Sequence, residues 1–258
     1  MKKLFMTDLD YTALGGFEPY RRIPDPYSRF LDRLSATGWD WAINSAWDVP
    51  DQLDLIQQSA VKSRPAFLIG KYGGVMYQLE NETLRAVEPY TAEHYSLLLQ
   101  WGRDTAFPLI HALAVNYEWI KISYQIHAFS CHMENIHRIE NLPCVQEALQ
   151  KERIDLRFRD NMCHVSPGKT VSKGMPVDYL REKFGYGFIA CAGDGIPDRR
   201  MMEHAQLKLA PANAKPELKE FLRQNGGFIG PGDYCTGVIE AFEHGMRQTE
   251  KDQITING

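Results

Sequence analysis

The sequence predicts an α/β protein whose core contains a mainly parallel sheet and is interrupted by an α+β insert. In the first and last parts of the chain, short apolar runs alternate with segments of helical periodicity, which is typical of a parallel sheet with helices on both faces. In the middle, apolar and charged side chains alternate along residues 154–158, which indicates a half-buried strand of an open sheet. We therefore expect residues 1–81 and 165–258 to form the α/β core domain and residues 82–164 to form the α+β insert.

Each expected element follows from a local signal. The apolar run at residues 3–7 predicts a buried strand, and Gly38 ends a segment whose apolar residues recur at helical spacing. The core elements expected in chain order are a strand at 3–7, a helix at 26–37, a strand at 39–44, a helix at 51–60, a strand near 66–69, a hairpin arm at 75–79, a helix at 173–184, a strand at 188–192, a helix at 198–205, a strand at 207–210, a helix at 216–222 and a closing segment at 236–245. The insert is expected to contain a helix from 91 to about 104, a strand at 121–129, a helix from about 143 to 151 and a strand at 154–158.

Composition argues against several classes of protein. The chain has 258 residues, 44% of them hydrophobic, and a formal net charge of −4, which gives no basic footprint for nucleic acid or an anionic membrane. The five cysteines are odd in number and form no Cys-x-x-Cys pair, so a reducing compartment fits better than a disulfide framework. The apolar stretch at the amino terminus is too short for a signal peptide, and no apolar run approaches the length of a membrane span. We expect a cytoplasmic protein with a small-molecule partner and with neither a nucleic-acid nor a membrane partner, and the sequence leaves its oligomeric state open.

Two carboxylates follow the first predicted strand, in the sequence Asp8-Leu9-Asp10-Tyr11-Thr12. Carboxylates beside a buried strand are costly unless a cation or hydrogen bonds compensate them. A carboxylate can attack phosphorus as a nucleophile, and a second acid can protonate the leaving group and then activate water. Taken alone, the motif is explained equally well by a solvated turn, because Asp is common in turns.

Ser45 and Lys173 are two further candidates. Ser45 follows the second predicted strand, where its hydroxyl can donate to a phosphoryl oxygen, although capping the next helix is the commoner use of such a serine. Lys173 lies at the predicted start of a helix, where the helix dipole disfavours a cation, and local conflicts of this kind often mark functional sites. Lys169 competes for the same role, and a solvated surface lysine explains either one taken singly.

The fourth signal is the acidic loop Gly193-Asp194-Gly195-Ile196-Pro197-Asp198, which follows the apolar strand at 188–192. Hard oxygen ligands of this type suit Mg²⁺, and the alternative is a capped helix with Asp198 in its first turn. The carboxyl ends of parallel strands share one edge of a sheet, and ligands bind in the crevice there. Acids near both ends of the chain, with a lysine between them, therefore indicate one metal–phosphate site.

The order and spacing of these motifs resemble the haloacid dehalogenase superfamily, in particular its Cof-type phosphatases, over nearly the whole chain. The residues that carry the resemblance are Asp8-x-Asp10-x-Thr12 for the first motif, Ser45 for the second, Lys173-Gly174 for the third, Gly193-Asp194 with Asp198 for the fourth, and the segment 209–214 that follows it. The resemblance implies a Rossmann-like parallel-sheet core with an α/β cap between the second and third motifs. The insert at 82–164 would then be the cap domain.

The resemblance also implies a function and a set of roles. The function is that of a Mg²⁺-dependent phosphatase acting on a small phosphorylated metabolite, with a sugar phosphate as the broad expectation, through an aspartyl-phosphate intermediate. Asp8 would be the nucleophile, and Asp10 the general acid and then the general base. The implied metal ligands are Asp8, the backbone carbonyl of Asp10 and Asp194, with support from Asp198. The implied phosphate-binding groups are the side chains of Ser45 and Lys173 and the backbone N–H groups near Leu9, Asp10 and Ala46.

The chain departs from the family pattern next to several motifs. The departures are Tyr11 where relatives usually have Gly, Ser45-Ala46-Trp47 where many have Thr-Gly-Arg, Tyr72-Gly73 where relatives often have Asn-Gly, and Pro197 where Asn is usual. None of them removes the nucleophile, the acid/base, the lysine or the metal carboxylates. Two other functions stay open: a sugar phosphomutase, because capped relatives move phosphate between positions on a sugar, and a non-catalytic ligand-binding protein that kept the fold.

Overall fold

The structure is a computed structural model that describes residues 1–16, 19–80, 83–117 and 119–257. The chain forms two compact units: residues 1–87 together with 173–258, and residues 88–172. The limit expected at 81/82 lies outside the described residues, and the limit expected at 164/165 falls within a strand.

Strand pairing explains where the units begin and end. The larger unit continues to Val87 because Thr83–Ala86 pairs with Val75–Glu80 in its sheet. The smaller unit continues to Ser172 because Met162–Pro167 has a partner strand on each edge within that unit.

The strands and helices of the described residues have the following bounds. The strands are β1 (Lys2–Thr7), β2 (Trp39–Asn44), β3 (Phe67–Gly70), β4 (Val75–Glu80), β5 (Thr83–Ala86), β6 (Lys121–Gln125), β7 (Ala128–His132), β8 (Ile154–Arg159), β9 (Met162–Pro167), β10 (Tyr186–Ala192), β11 (Leu207–Ala210) and β12 (Phe228–Ile229). The helices are α1 (Asp25–Ala36), α2 (Val49–Gln57), α3 (Tyr90–Trp101), α4 (Phe107–Asn116), α5 (Pro143–Gln150), α6 (Met175–Phe184), α7 (Ile196–Glu203), α8 (Pro216–Gln224) and α9 (Tyr234–Asn257).

The larger unit contains an eight-stranded sheet with the order β12-β11-β10-β1-β2-β3-β4-β5. The strands from β12 to β3 are parallel, whereas β4 and β5 form an antiparallel edge. Strand β1 is central, and its last residue, Thr7, lies opposite Ile43 of β2 and Ala192 of β10. The chain leaves β1 for β2 on one side and returns as β10 on the other, and such a switch point opens a ligand-binding crevice at the carboxyl ends of the strands.

Strand β1 is anchored in the core of the larger unit. Leu4, Phe5 and Met6 are fully buried, as expected for a central parallel strand that is covered on both faces. The ring of Phe5 packs edge-to-face against Phe30 of α1 and Phe242 of α9, with centroids 5.3 and 5.6 Å apart. This packing fixes the strand whose end carries Asp8.

The smaller unit contains an antiparallel sheet with the order β6-β7-β9-β8. One face of this sheet packs into a core with α3, α4 and α5 that includes Trp101, Leu113, Phe129, Val145 and Val165. The expectation of a single strand at 121–129 is wrong. Gln125 pairs with Ala128, so the two residues between them form the tight turn of a hairpin.

Within the part of the chain that the structure describes, no helix combines the length and apolarity required to span a membrane. The five cysteines are all free thiols.

Candidate active site

Asp8 is the first residue after β1. Its backbone N–H donates to the carbonyl of Ala192 at 2.9 Å, which continues the pairing of β1 with β10 by one residue. The hydroxyl of Thr7 donates to the backbone carbonyl of Asp8 at 2.8 Å. Asp8 is only 5% exposed, and a carboxylate buried to this degree requires a compensating partner.

Lys173 supplies that partner. Its ammonium group lies 2.7 Å from Oδ1 of Asp8 and 2.6 Å from Oδ1 of Asp198, and its side chain is 3% exposed. Asn44, the last residue of β2, holds the backbone of Lys173, because its Nδ2 donates to the Lys173 carbonyl at 2.9 Å. The competing candidate Lys169 pairs with Glu152 in the smaller unit.

Asp198 links the lysine to the acidic loop before α7. Its Oδ2 accepts the backbone N–H groups of Asp194 at 3.0 Å and Gly195 at 2.9 Å, while Oδ1 accepts from Lys173. Gly193 makes this approach possible, because a Cβ on that residue would lie 2.2 Å from the Cβ of Asp198. Both carboxylate oxygens of Asp198 thus accept hydrogen bonds from groups of the protein itself.

A carboxylate cluster is the result. Asp8, Asp194 and Asp198 are all buried, and each offers a carboxylate oxygen within 4.8 Å of the oxygens of the other two. Lys173 pairs with Asp8 and Asp198, and Asp194 adds a third carboxylate to the cluster. Clustered carboxylate oxygens suit a hard divalent cation such as Mg²⁺, so the residues present fit the metal that the sequence predicts.

The charges of the cluster shift the pKa values of its members. Burial, followed by the negative charge of Asp198, raises the pKa of Asp8 to about 7, although Lys173 opposes the shift. Burial lowers the pKa of Lys173, but the charges and hydrogen bonds of Asp198 and Asp8 outweigh it and hold that pKa above its ordinary value. Lys173 is therefore a fixed cation.

Asp10 lies beside this cluster in the chain, but its side chain has different partners. Its Oδ2 accepts the indole N–H of Trp47 at 2.8 Å, and its Oδ1 accepts the hydroxyl of Tyr20. Burial and the bond to Asp10 raise the pKa of Tyr20, so the phenol stays protonated and remains a donor.

Ser45 lies at the same edge of the sheet as Asp8, because β2 runs parallel to β1 and Ser45 directly follows β2. It is buried, its backbone N–H donates to the carbonyl of Ile69 at 3.0 Å, and its Oγ accepts the backbone N–H of Trp47 at 3.3 Å. The hydroxyl of Ser45 therefore keeps its own proton available for a ligand.

Leu9 and Ala46 directly follow Asp8 and Ser45 in the chain. Leu9 is buried, and its carbonyl accepts the N–H groups of Thr12 and Leu14. Ala46 is half-buried. The role expected for their backbone N–H groups stays a prediction.

The structure thus brings Asp8, Lys173, Asp194 and Asp198 into one buried cluster. Two residues of the site escaped the sequence analysis. Asn44 had a detectable signal, because a polar residue at the end of an apolar strand is unusual. Tyr20 had none, since it lies in a loop without periodicity.

No protein-family model and no curated protein matches the chain. Among solved structures, the sucrose-phosphatase from Synechocystis sp. PCC6803, in complex with sucrose and phosphate, superposes with a TM-score of 0.65 at 19% identity, over 95% of this chain and 98% of that one. The trehalose-6-phosphate phosphatase from Aspergillus fumigatus gives a TM-score of 0.54 at 17% identity, over 81% and 82% of the two chains. A haloacid dehalogenase-like hydrolase protein from Bacillus subtilis gives 0.54 at 15% identity, over 91% and 88%.

The chain therefore has the fold of the haloacid dehalogenase-like hydrolases. The predicted fold class, a Rossmann-like α/β core with an inserted α+β cap domain, is confirmed. The resemblance stated from the motifs is confirmed at the level of the fold.

Proposed function

We propose that this protein is a Mg²⁺-dependent phosphatase that hydrolyses a small phosphorylated metabolite of the sugar-phosphate class through an aspartyl-phosphate intermediate. One observation carries the proposal: the buried cluster of Asp8, Lys173, Asp194 and Asp198 at the carboxyl ends of β1 and β10. Phosphoryl transfer requires positioning and neutralised oxygens more than any unusual chemistry. The cluster offers a nucleophile, a fixed cation and a set of metal ligands in one place.

Each residue has a proposed role in two steps. An oxygen of Asp8 bonds to phosphorus while the bond to the leaving oxygen breaks, and the carboxyl proton of Asp10 goes to that leaving oxygen. In the second step Asp10 takes a proton from water, whose oxygen bonds to phosphorus as the bond to Asp8 breaks. Asp8 thus recovers its carboxylate and phosphate leaves.

The remaining groups are proposed to bind the phosphate and the metal ion. Ser45, Lys173 and the backbone N–H groups of Leu9 and Ala46 are the proposed phosphate-binding groups. Asp8, the backbone carbonyl of Asp10 and Asp194 are the proposed ligands of Mg²⁺, which would neutralise phosphoryl oxygens and favour ionised Asp8. Asp198 supports the site by fixing Lys173 and the loop before α7.

The substrate class rests on two structural relatives. Their names give the substrates sucrose phosphate and trehalose-6-phosphate, and both are phosphorylated sugars. We infer a polar, hydroxyl-rich leaving group for this chain. The composition supports a cytoplasmic location for such an enzyme.

The test is phosphate release from a panel of phosphorylated sugars, with and without Mg²⁺, by the wild-type protein and by Asp8→Asn. Asp51→Asn is the matched control, because Asp51 is an exposed aspartate in the first turn of α2. We expect release that requires Mg²⁺, survives Asp51→Asn and falls at least about 1,000-fold in Asp8→Asn. Isomeric sugar phosphates in place of free phosphate would identify a mutase, and ligand binding without turnover would identify a binding protein.

The covalent intermediate has a separate test. Intact mass spectrometry of Asp10→Asn mixed with a nitrophenyl phosphate should show one added phosphoryl group, because its leaving group requires no proton from Asp10 while the second step lacks its base. The double variant Asp8→Asn/Asp10→Asn should show no addition. Equal labelling of both variants would contradict Asp8 as the nucleophile.

A further inference from the structure

The carboxyl group of Asp10 is held on both sides by neutral donors. The indole N–H of Trp47 donates to Oδ2 at 2.8 Å, and the hydroxyl of Tyr20 donates to Oδ1. These donors come from different loops, one following β2 and one between β1 and α1. A single donor leaves a carboxyl group free to rotate about that bond, whereas a donor on each oxygen fixes the plane of the group.

Trp47 is itself fixed by buried contacts. The side chain of Gln52, which is 0% exposed, donates to the backbone carbonyl of Trp47 at 3.1 Å and to that of Ile69 at 2.9 Å. The backbone N–H of Trp47 donates to Ser45 Oγ at 3.3 Å. The guanidinium group of Arg21 lies 5.6 Å from the centroid of the indole ring, at a distance that permits a cation–π interaction. The indole donor is therefore preorganised before any ligand binds.

The two donors leave Asp10 able to transfer a proton. The two oxygens of a carboxylate offer about four acceptor positions in total, so two donors leave room for a proton and for the oxygen that receives it. Both donors are uncharged and keep their hydrogens, so they hold the carboxyl group in one orientation. Proton transfer requires the carboxyl group to lie within hydrogen-bond reach of the leaving oxygen. Small displacements of the group therefore lower the reaction rate strongly.

We propose that Trp47 and Tyr20 are positioning residues that orient the Asp10 carboxyl group for proton transfer to the leaving oxygen. The inference rests on the proposed phosphatase activity and deepens it. It also assigns a positioning role to Trp47, which occupies a position where the family pattern has a different residue. The chain would hold its acid/base with an indole and a phenol supplied by its own loops.

The variants Trp47→Phe and Tyr20→Phe test this inference, because each removes a donor and keeps an aromatic ring. Tyr186→Phe is the matched control. The Tyr186 hydroxyl donates to Asp40 Oδ2 at 2.6 Å, and this Tyr–Asp bond lies at the amino ends of β10 and β2, whereas Asp8 lies at the carboxyl ends of the strands. Asp10→Asn defines the complete loss of the acid. Circular dichroism melts check that each variant is folded.

The readout is kcat/KM on two substrates with different leaving groups. A nitrophenyl phosphate expels a stable anion that requires no proton, whereas a sugar or alkyl phosphate expels an alkoxide that does. Because kcat/KM covers only the steps up to the first irreversible one, it reports transfer to Asp8 and not the later hydrolysis.

We expect Trp47→Phe and Tyr20→Phe to lower kcat/KM on the sugar phosphate about tenfold, and on the nitrophenyl phosphate less than about threefold. Asp10→Asn should show the same selectivity more strongly, and Tyr186→Phe should show none. Equal losses on both substrates, or no loss on either, would overturn the positioning role while leaving the phosphatase intact. Absence of turnover by the wild-type protein on every substrate would overturn the proposed function, and this inference with it.

Discussion

Substitution of Gly193 by alanine should disrupt the carboxylate cluster from within. The new Cβ would lie 2.2 Å from Cβ and 2.4 Å from Cγ of Asp198, whereas ordinary contacts begin at 3.4 Å, so Asp198 must move by about 1.2 Å. Overpacking of this kind costs about 1–3 kcal/mol. Displacing Asp198 also weakens its charged hydrogen bond to Lys173, which contributes about 1.5–3 kcal/mol. We expect Gly193→Ala to lower the free energy of unfolding by roughly 3–5 kcal/mol.

The neighbouring Gly195 provides the control. An alanine there would have its nearest contacts at 3.6 Å from Cδ of Pro197 and 3.8 Å from Oδ2 of Asp198, which are ordinary distances. Gly195→Ala should therefore cost less than about 1 kcal/mol, mostly through its position as the residue before the first turn of α7. Urea denaturation of the full chain measures both variants, and calorimetric titration with Mg²⁺ should show weakened binding for Gly193→Ala alone. Two variants of equal stability and equal Mg²⁺ affinity would refute the close packing of Gly193 against Asp198.

Three further predictions follow from buried charge, backbone conformation and pH. Lys173→Met leaves the carboxylates of Asp8 and Asp198 uncompensated, so we expect a loss of about 3–5 kcal/mol in urea denaturation at neutral pH; a loss below about 1 kcal/mol would contradict the buried ion pairs. Tyr11 has φ +58°, in the left-handed region, so Tyr11→Gly should be more stable than Tyr11→Ala by about 1 kcal/mol, and the reverse order would contradict that backbone conformation. Burial lowers the pKa of His164 to about 4, so the unfolded chain binds more protons between that value and the ordinary 6.5, and stability falls as pH falls through this window by up to about 3 kcal/mol. His164→Gln should remove this part of the pH dependence, and identical slopes for the variant and the wild type would exclude it.

The sequence predicts well what burial and strand order determine. Asp8 and Asp194 each follow an apolar run, and parallel strands carry their carboxyl ends to one edge, so the pattern alone brings these residues together. The choice of Lys173 over Lys169 required the resemblance, because both lie in one loop with similar surroundings in the sequence. In the structure, Asn44 holds the backbone of Lys173 and thereby distinguishes the two.

Other features depend on contacts that no local pattern encodes. The sequence does not predict the hairpin of β6 and β7, because its two-residue turn, Ile126-His127, contains no glycine, asparagine or proline to mark it. The strand Thr83–Ala86 is short and largely exposed, so its membership of the large sheet depends on pairing and not on hydrophobicity. The bond from Tyr20 to Asp10 joins two loop residues, and loops carry no periodicity from which such a contact could be read.

The position of β1 at the centre of the large sheet has a consequence for biosynthesis. One edge of β1 pairs with β2 soon after it leaves the ribosome, but its other edge has to wait for β10. The residues from the end of β2 to the end of β10 take roughly 7 to 30 s to translate at ordinary rates. During that interval an apolar strand edge is open to pairing with other chains, and the carboxylate of Asp8 lacks Lys173. The nascent chain therefore depends on late residues both to close its sheet and to neutralise its buried charge, which makes the arrival of β10 the step at which chaperone assistance would matter most.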